Sequence, residues 1–384
     1  MPVSQKNQLS GGKKIVFSII FYSFLVLLGV LVFGFGLWLE RTVGLYNFIK
    51  SNQHGFEGKI FRYHPELGHA PVPDSRGAQI FPIGPEVPVR FDHNGFRVPL
   101  NEAAPSNLKR PITLALGCSY TFGAACPAEK TFVYLTGKEL NGSSLNAGVP
   151  GYGLTQMLIL AHRLIPQYKP DYVLVQYSPW LVDRAMEPFA PSWVGVLPSP
   201  FLADSPRGGM KIYPPVFRTK SFDLAISSFR RTPKNFADFL SFLANVGLPL
   251  YMHDGLYMSA YYAKLWSGIL PRPSKEPERI VEFVYNEIYR VCQENNSRMV
   301  IVVLTEPDSS RKPSSAEISK LNDLGIIVNG ASALLARLPD KNFDRYEHAY
   351  HHYRGENAVL VDKHPNENAH QIIAEEIIKM IKNY

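Results

Sequence analysis

The chain has 384 residues, a hydrophobic fraction of 46% and a formal net charge of +7. These values exclude a disordered chain and allow one large domain or two small ones with a sizeable core. The basic residues are scattered without a long run, which argues against nucleic acid as a partner. The 31 prolines and the aromatic fraction of 12% indicate long, ordered connections around the core.

An apolar segment without a charged residue runs from Ile15 to Leu39. As a helix it would be roughly 37 Å long, which exceeds the hydrocarbon thickness of about 30 Å in a bilayer. Lys6, Lys13 and Lys14 precede it, so the positive-inside rule places residues 1–14 in the cytoplasm and the rest of the chain outside. We therefore expect a single-pass anchor in a cell inner membrane, with the main domain in the periplasm.

The alternative for this segment is a cleaved signal peptide. The apolar run is longer than the usual hydrophobic region of a signal peptide, and no small-x-small cleavage site follows it before Thr42-Val43-Gly44. A helix that is apolar all round is also unusual as a core helix at this position. These features favour an uncleaved anchor.

Residues 42–110 are rich in proline, glycine and histidine. Between Val87 and Val98, apolar residues alternate on both sides of Asn94-Gly95, which is a strong hairpin signal. We interpret residues 42–110 as a β-rich leader that packs on the main domain. No catalytic role follows from this part of the sequence.

A strand and helix alternation predicts the main domain over residues 111–384. Its first part consists of strand Ile112–Leu116, helix 129–140, strand Ser144–Ala147, helix 154–167 and strand Tyr172–Tyr177. Its second part consists of helix Pro277–Glu294, strand Met299–Leu304, helix 315–323, strand Gly325–Val328, helix 331–337 and a last helix after Pro365. The pattern is typical of a flavodoxin-like three-layer α/β sandwich with a central parallel sheet.

The alternation is interrupted between about 185 and 275 by proline-studded, aromatic-rich sequence. Helical stretches are predicted there near 233–246 and 257–268. We interpret this part as an insertion that caps the edge or the mouth of the sheet.

The three cysteines, Cys118, Cys126 and Cys292, are too few for a disulfide framework, so the fold must rest on its core. Cys118 and Cys126 could pair in an oxidising compartment. The alternative is that both are small buried thiols.

Ser119 follows the first predicted core strand in the sequence Gly117-Cys118-Ser119. Open α/β sheets bind their ligands at the carboxyl ends of the strands, so this serine is a candidate nucleophile. The alternative is that Ser119 caps the N-terminus of the next helix.

Two further segments offer complementary chemistry. The turn from Asn146 to Gly153 contains three glycines and could bring a backbone N–H close to a reacting carbonyl oxygen, although it also suits an ordinary strand-to-helix turn. Asp362 and His364 supply a carboxylate and an imidazole just before the last helix. A single histidine is more often structural than catalytic, so the order of all three segments carries more weight than any one.

That order resembles the SGNH (GDSL-like) hydrolase family, in a membrane-anchored bacterial type, over about residues 112–180 and 355–380. The resemblance implies that Ser119 is the nucleophile and that its own N–H is one oxyanion donor. It further implies Gly151 as the second donor, His364 as the general base and Asp362 as the residue that orients the imidazole. These roles agree with the need of a serine for a base and of a tetrahedral oxyanion for preformed donors.

The sequence departs from the family pattern in three places. The usual Gly-Asp-Ser is Gly-Cys-Ser here, and Asp362 precedes His364 by two positions where the family has three. No asparagine follows the third strand, where the family has a third oxyanion donor and this chain has Trp180 or Val182.

Several side chains near that position could substitute for the missing asparagine. They are Gln176, Ser178 and the indole N–H of Trp180; without a substitute, turnover would be slow or lost. Asp183 is a further candidate for a substrate contact, and a local ion pair with Arg184 is its other interpretation.

His348 and His352 would share one face of a helix and so suggest a metal site. No convincing further ligand accompanies them, so a polar surface helix is the better explanation. We expect neither a metal nor another cofactor.

The leading functional hypothesis is a serine esterase or deacetylase outside the cytoplasmic membrane, which processes an acyl ester, by analogy carried on carbohydrate, through a Ser119 acyl-enzyme. Its partners would then be this substrate and, through residues 15–39, the lipid bilayer. One alternative is an O-acyltransferase for envelope polysaccharide, which shares the first half-reaction. The other is a non-catalytic domain that binds glycan or acts in envelope assembly.

Overall fold

The computed structural model divides the chain into two units, Met1–Ser51 and Asn52–Tyr384. The residues it describes are 11–52, 55–81, 83–101, 107–192, 195–205, 208–216, 218, 236–242, 244–245, 253, 256–306, 312–339 and 343–383.

Helix α1, Gly11–Asn52, accounts for the described residues of the first unit and ends one residue after it. Its stretch Gly12–Phe33 has a mean hydropathy of 2.8, and none of it is buried against protein. Exposing so much apolar surface to water would be unfavourable, and the length is sufficient to cross a bilayer. Length and composition suit a membrane anchor or a signal sequence.

The second unit starts with short antiparallel strands. They are β1 Gly55–Glu57, β2 Phe61–His64, β3 Gly68–Pro71, β4 Arg76–Ile80 and β5 Val87–Arg90. Strands β1, β4 and β5 form one sheet in the order β1-β4-β5, and β2 pairs with β3 in a separate hairpin.

The turn predicted at Asn94-Gly95 is present. Gly95 has a φ of +83° and its N–H donates to the Asp92 carbonyl, while Phe91 pairs with Arg97 across the turn. Arg97 also forms an antiparallel bridge to Asn146 of the main sheet. The chain after the turn is therefore attached to the α/β core.

The first half of the core alternates strands and helices. Its elements are β6 Ile112–Leu116, α2 Ser119–Phe122, α3 Phe132–Glu139, β7 Ser143–Asn146, α4 Leu154–Tyr168, β8 Tyr172–Tyr177 and α5 Pro179–Ala185. A short 3₁₀ helix, Ala128–Lys130, precedes α3, which is capped by the Thr131 hydroxyl.

In its described residues, the inserted part contains two antiparallel hairpins and two helices. They are β9 Phe189–Ser192, β10 Gly195–Pro198, β11 Phe201–Asp204, β12 Met210–Tyr213, α6 Phe236–Phe242 and α7 Leu256–Trp266. Strands β9 and β11 contact α5, which follows the carboxyl end of β8. The hairpins therefore lie beside this end of the sheet.

The second half of the core resumes the alternation. Its elements are α8 Pro277–Glu294, β13 Arg298–Val303, α9 Ser315–Ser319, β14 Ile326–Asn329, α10 Gly330–Ala336, α11 Phe343–Tyr350, β15 His352–Arg354, β16 Val359–Asp362 and α12 Glu367–Asn383. Strands β15 and β16 form an antiparallel pair.

The central sheet has five parallel strands in the order β14-β13-β8-β6-β7. Helix α3 packs with α12 and helix α4 packs with α8, so helices cover the sheet in two groups. This is the flavodoxin-like three-layer arrangement that the sequence predicts. The strand order changes direction between β6 and β8, and such a point is where doubly wound sheets bind ligands.

All three cysteines are buried free thiols. The pairing considered for Cys118 and Cys126 is therefore not formed. Burial raises the pKa of the Cys126 thiol to about 12, which keeps it protonated at neutral pH.

Candidate active site

The nucleophile candidate lies in a sharp turn from β6 into α2. Cys118 occupies the N-cap position and Ser119 is the first helical residue, so Ser119 does not cap the helix. A Cβ at Gly117 would lie 2.0 Å from the Thr121 hydroxyl oxygen and 2.5 Å from Gln176 Oε1. Only glycine fits there, and the close packing places the partly exposed Ser119 at the carboxyl end of the sheet.

A chain of hydrogen bonds joins Ser119, His364 and Asp362. The Ser119 Oγ lies 2.8 Å from His364 Nε2, and His364 Nδ1 lies 2.5 Å from Asp362 Oδ1. Because the carboxylate only accepts, the neutral imidazole carries its proton on Nδ1 and leaves Nε2 free to accept from the serine hydroxyl. This is the geometry of a serine nucleophile with its general base.

The shortened spacing between Asp362 and His364 is accommodated by the end of β16. Asp362 closes that strand, and its Oδ1 also accepts the backbone N–H of His364 at 2.7 Å. The same carboxylate oxygen therefore fixes both the ring and the backbone of the histidine. Two residues of separation suffice because the chain turns directly after the strand.

The charges of this pair stabilise each other. Burial opposes ionisation of Asp362, but the His364 charge and hydrogen bonds outweigh it and lower the pKa of the carboxyl to about 2. For His364, burial disfavours the charged ring, yet the Asp362 carboxylate raises its pKa above the ordinary 6.5. Asp362 is thus ionised at neutral pH and can stabilise an imidazolium.

The glycine turn lies directly beside this serine. The Val149 N–H donates to the Gly117 carbonyl at 3.2 Å, and a Cβ at Gly148 would lie 2.5 Å from the Phe122 backbone nitrogen. Gly151 has a φ of +86°, a conformation that favours glycine. The turn is therefore more closely fitted to the nucleophile segment than an ordinary connection requires.

Gln176 and Ser178 are buried beneath the site. The Gln176 amide nitrogen donates to the Ser178 hydroxyl at 2.8 Å and approaches Cys118 Sγ at 3.3 Å. The Ser178 hydroxyl in turn donates to the Leu304 carbonyl at 2.5 Å. Both side chains are buried, and their hydrogen bonds connect the segments that follow β6, β8 and β13.

Trp180 lies close to the reacting groups. Its indole nitrogen is 3.5 Å from Cys118 Sγ, and its ring centroid is 5.0 Å from that of Tyr120. Tyr120 also packs against the His364 ring at 5.2 Å between centroids. An aromatic surface formed by Trp180 and Tyr120 therefore adjoins His364.

Asp183 and Arg184 lie further along the same helix, α5, and both are partly exposed. The Arg184 guanidinium donates to the Tyr152 carbonyl at 2.9 Å. Arg184 therefore supports the glycine turn, whereas Asp183 remains a candidate for a substrate contact.

Arg97 is a site residue that the sequence does not reveal. It is 3% exposed and donates to the carbonyls of Phe122, Gly123 and Cys126. Its guanidinium carbon lies 4.1 Å from the centroid of the Phe122 ring. Burial lowers its pKa to about 10, so it stays charged at neutral pH and complements the C-terminal carbonyls of α2.

The histidine pair considered for a metal is not arranged as predicted. Helix α11 ends at Tyr350, and His352 lies on β15, so His348 and His352 do not share a helix face. His352 Nε2 lies 3.2 Å from the Pro365 carbonyl oxygen. Within the described ranges, no cluster of three or more His, Cys, Asp or Glu side chains suits a metal ion.

Several solved structures are similar to this chain. The psychrotrophic esterase EstA from Pseudoalteromonas sp. is 12% identical, with a TM-score of 0.35, over 71% of this chain and 97% of that one. A GDSL-like lipase from Bacteroides thetaiotaomicron is 9% identical, with a TM-score of 0.30, over 71% of this chain and 88% of that one. A catalytic mutant of the acetylxylan esterase Axe2 from Geobacillus stearothermophilus is 11% identical, with a TM-score of 0.32, over 72% of this chain and 96% of that one.

No protein-family model and no curated protein matches the sequence. At the identities of these solved structures, the likeness concerns the fold and says nothing about substrate. The architecture given above rests on the strand order of this chain, and its chemistry rests on the residues around Ser119.

Proposed function

We propose that this protein is a serine esterase that cleaves acyl esters through a Ser119 acyl-enzyme. The observation that carries the proposal is the continuous hydrogen-bonded chain from the Ser119 hydroxyl through His364 to Asp362. A serine hydroxyl is a weak nucleophile until a base takes its proton, and a buried ionised carboxylate keeps that base in the required tautomer.

The reaction starts when His364 Nε2 takes the Ser119 proton as Oγ attacks the ester carbonyl carbon. The resulting oxyanion is stabilised by the backbone N–H groups of Ser119 and Gly151. When the tetrahedral intermediate collapses, the imidazolium returns the proton to the leaving alcohol. A water molecule then attacks the acyl-enzyme by the same steps and releases the carboxylic acid.

The side chains that could supply a third oxyanion donor influence the expected rate. Gln176 and Ser178 donate to buried partners, and the Trp180 indole faces Cys118. Loss of one oxyanion donor typically costs about 10² to 10³ in kcat. We therefore expect slower turnover than in an esterase with three donors.

The substrate class we propose is an acyl group carried on carbohydrate. The partly exposed Trp180 next to Tyr120 offers an aromatic face beside the nucleophile, which suits the apolar face of a sugar ring. The apolar helix supports a location at the cell inner membrane, with residues 15–39 in the bilayer, a cytoplasmic N-terminus and the catalytic domain on the periplasmic side.

The test is covalent labelling of the full-length protein in detergent by a fluorophosphonate. Wild type is expected to be labelled once, at Ser119, and to hydrolyse short acyl esters, while Ser119→Ala and His364→Ala lose both. Ser319→Ala, at an exposed hydroxyl far from Ser119 along the chain, is the matched control and should retain both. A wild-type protein that folds but shows neither labelling nor turnover would instead support a non-catalytic binding domain.

The same acyl-enzyme would serve an O-acyltransferase, because only the acceptor of the acyl group differs. Turnover with water alone supports the esterase. Turnover that requires an added sugar acceptor would replace it with the transferase.

A further inference from the structure

A buried histidine of the N-terminal strands forms a hydrogen bond to the glycine turn that contains Gly151. His69 lies on β3 and is 1% exposed, and its Nε2 is 2.8 Å from the Pro150 carbonyl oxygen. A carbonyl oxygen only accepts, so His69 Nε2 carries the proton and donates. The bond joins two groups that are 81 positions apart in the sequence.

The Pro150 carbonyl belongs to the peptide unit whose nitrogen is that of Gly151. The turn Val149–Tyr152 has proline and glycine at its two central positions, a Gly151 φ of +86°, and a Tyr152 N–H that donates to the Val149 carbonyl at 3.2 Å. These are the features of a type II turn. Type I and type II turns differ by a rotation of the central peptide of about 180°, and proline followed by glycine is compatible with both.

The orientation of that central peptide decides what the turn presents to a substrate. In a trans peptide the C=O and the N–H point to opposite sides. His69 holds the carbonyl on its own side, so the Gly151 N–H faces away from His69. If the peptide rotated, a carbonyl oxygen would take the place of the N–H and would repel a developing oxyanion.

We propose that His69 is a positioning residue that locks the Pro150–Gly151 peptide with its N–H directed at the oxyanion formed on Ser119. The inference rests on the proposed esterase function. It gives strand β3 a role in catalysis that acts through the glycine turn.

Other contacts around His69 also hold the turn Val149–Tyr152 in one conformation. The Tyr152 hydroxyl donates to the His69 carbonyl at 2.7 Å, and the two rings meet edge to face with centroids 5.0 Å apart. Arg184 holds the Tyr152 carbonyl from α5. Both neighbours of Gly151 are therefore held by hydrogen bonds. Pro150 accepts from the His69 ring, and Tyr152 bonds to the His69 backbone and to Arg184.

The protonation state of His69 suits this role. Burial lowers the pKa of His69 to about 4, so the ring is neutral wherever His364 can act as a base. It is therefore a fixed donor across the working pH range and does not titrate together with the reaction.

The test compares three substitutions in the full-length protein. His69→Gln keeps a donor at about the position of Nε2, whereas His69→Asn has a polar side chain too short to reach Pro150, and His69→Leu has no donor. His64→Leu is the matched control, because His64 lies on the paired strand β2 and accepts from the Glu66 and Leu67 N–H groups without contact to the turn. Each kcat is divided by the fraction of protein that fluorophosphonate labels at completion, so that unfolded molecules do not count.

We expect His69→Leu and His69→Asn to lower kcat about 100-fold, because one oxyanion donor is misdirected. KM should change less than about threefold, since the oxyanion exists only in the transition state and the intermediate. The kcat of His69→Gln should be at least tenfold higher than that of His69→Leu or His69→Asn, and the kcat of His64→Leu should resemble that of wild type. The midpoint of the acidic limb of the pH–rate profile, which His364 sets, should not move.

Three results would overturn the inference while leaving the esterase intact. The first is that His69→Leu or His69→Asn has the wild-type kcat per labelled site. The second is that His69→Gln and His69→Asn have equal kcat values, and the third is that His64→Leu lowers kcat as much as His69→Leu does. If His69→Leu does not fold, the comparison of the glutamine and asparagine variants decides alone. A wild-type protein without labelling or turnover would defeat the esterase proposal itself, and this inference with it.

Discussion

Replacing Asp362 by asparagine tests the electrostatic part of the proposed mechanism. The carboxylate is 8% exposed and lies 2.5 Å from His364 Nδ1. Its pKa falls from 3.8 to about 2 in the folded protein. A shift of about two units corresponds to roughly 2 to 3 kcal/mol of favourable interaction with its surroundings, of which the imidazolium is the main source.

Asp362→Asn keeps the shape of the side chain and removes this charge. The imidazolium then loses its partner, and an amide NH₂ turned towards Nδ1 would favour the tautomer in which Nε2 already carries a proton. Loss of the charge alone accounts for roughly 10 to 100-fold in rate. The wrong tautomer adds to this, so we expect kcat to fall about 10³- to 10⁴-fold.

The pH profile provides a second readout of the same substitution. In wild type, kcat/KM should rise with pH through the His364 pKa, which lies above 6.5 because Asp362 stabilises the charged ring. Without the carboxylate, burial is the main remaining influence and it lowers the pKa, so the midpoint should move to lower pH.

The assay is hydrolysis of a nitrophenyl acyl ester between about pH 5 and 9, normalised to fluorophosphonate labelling. Asp204→Asn is the control, because Asp204 forms an exposed ion pair with Arg279 at 2.8 Å. A variant within about threefold of wild type, with an unchanged midpoint, would show that Asp362 does not orient His364.

Three further predictions concern stability and the thiols. Arg97→Met should lower the free energy of unfolding in urea by about 2 to 4 kcal/mol, because three buried carbonyls lose the Arg97 donor and only that of Gly123 keeps another, the Cys126 N–H; a change below about 0.5 kcal/mol would contradict this. Burial lowers the pKa values of His69 and His370 to about 4 and 3. The unfolded chain therefore binds more protons below pH 6.5, and the unfolding free energy should fall between about pH 6.5 and 4, by up to roughly 3 kcal/mol for each ring. Alkylation after unfolding without a reductant should modify all three cysteines, and a lower number would indicate a disulfide.

Local sequence patterns predict most of the core elements. The bounds of β6, β8 and α8 agree with the predicted Ile112–Leu116, Tyr172–Tyr177 and Pro277–Glu294. Buried parallel strands are continuous apolar runs, and α8 has a regular apolar face, so both leave a clear signal in neighbouring residues.

Elements with weaker periodicity are less well predicted. The helix expected over 315–323 ends at Ser319, and the helix expected to include His352 ends at Tyr350. Where a helix ends depends on capping and on the packing of its last turn, and neither is specified by the periodicity of the residues inside the helix.

The residues of the candidate site also differ in whether local sequence patterns reveal them. The sequence offered Ser119, the glycine turn and the pair Asp362 and His364 as candidates, and the order of these segments carried the family resemblance that implied a role for Gly151. It also determined the central sheet whose strands β6 and β7 lead to Ser119 and Gly151, since alternating strands and helices leave few topologies open.

Only the tertiary structure decided which side chains serve the site and which brace it. It placed Ser178 beneath the strand ends, Trp180 beside Tyr120, and Arg97 and His69 on the two turns that carry Ser119 and Gly151. The physical reason is that a hydrogen bond between groups distant along the chain needs no repeat, spacing or composition that a sequence displays. It depends on how the N-terminal strands pack against the sheet, and that packing is a property of the whole fold.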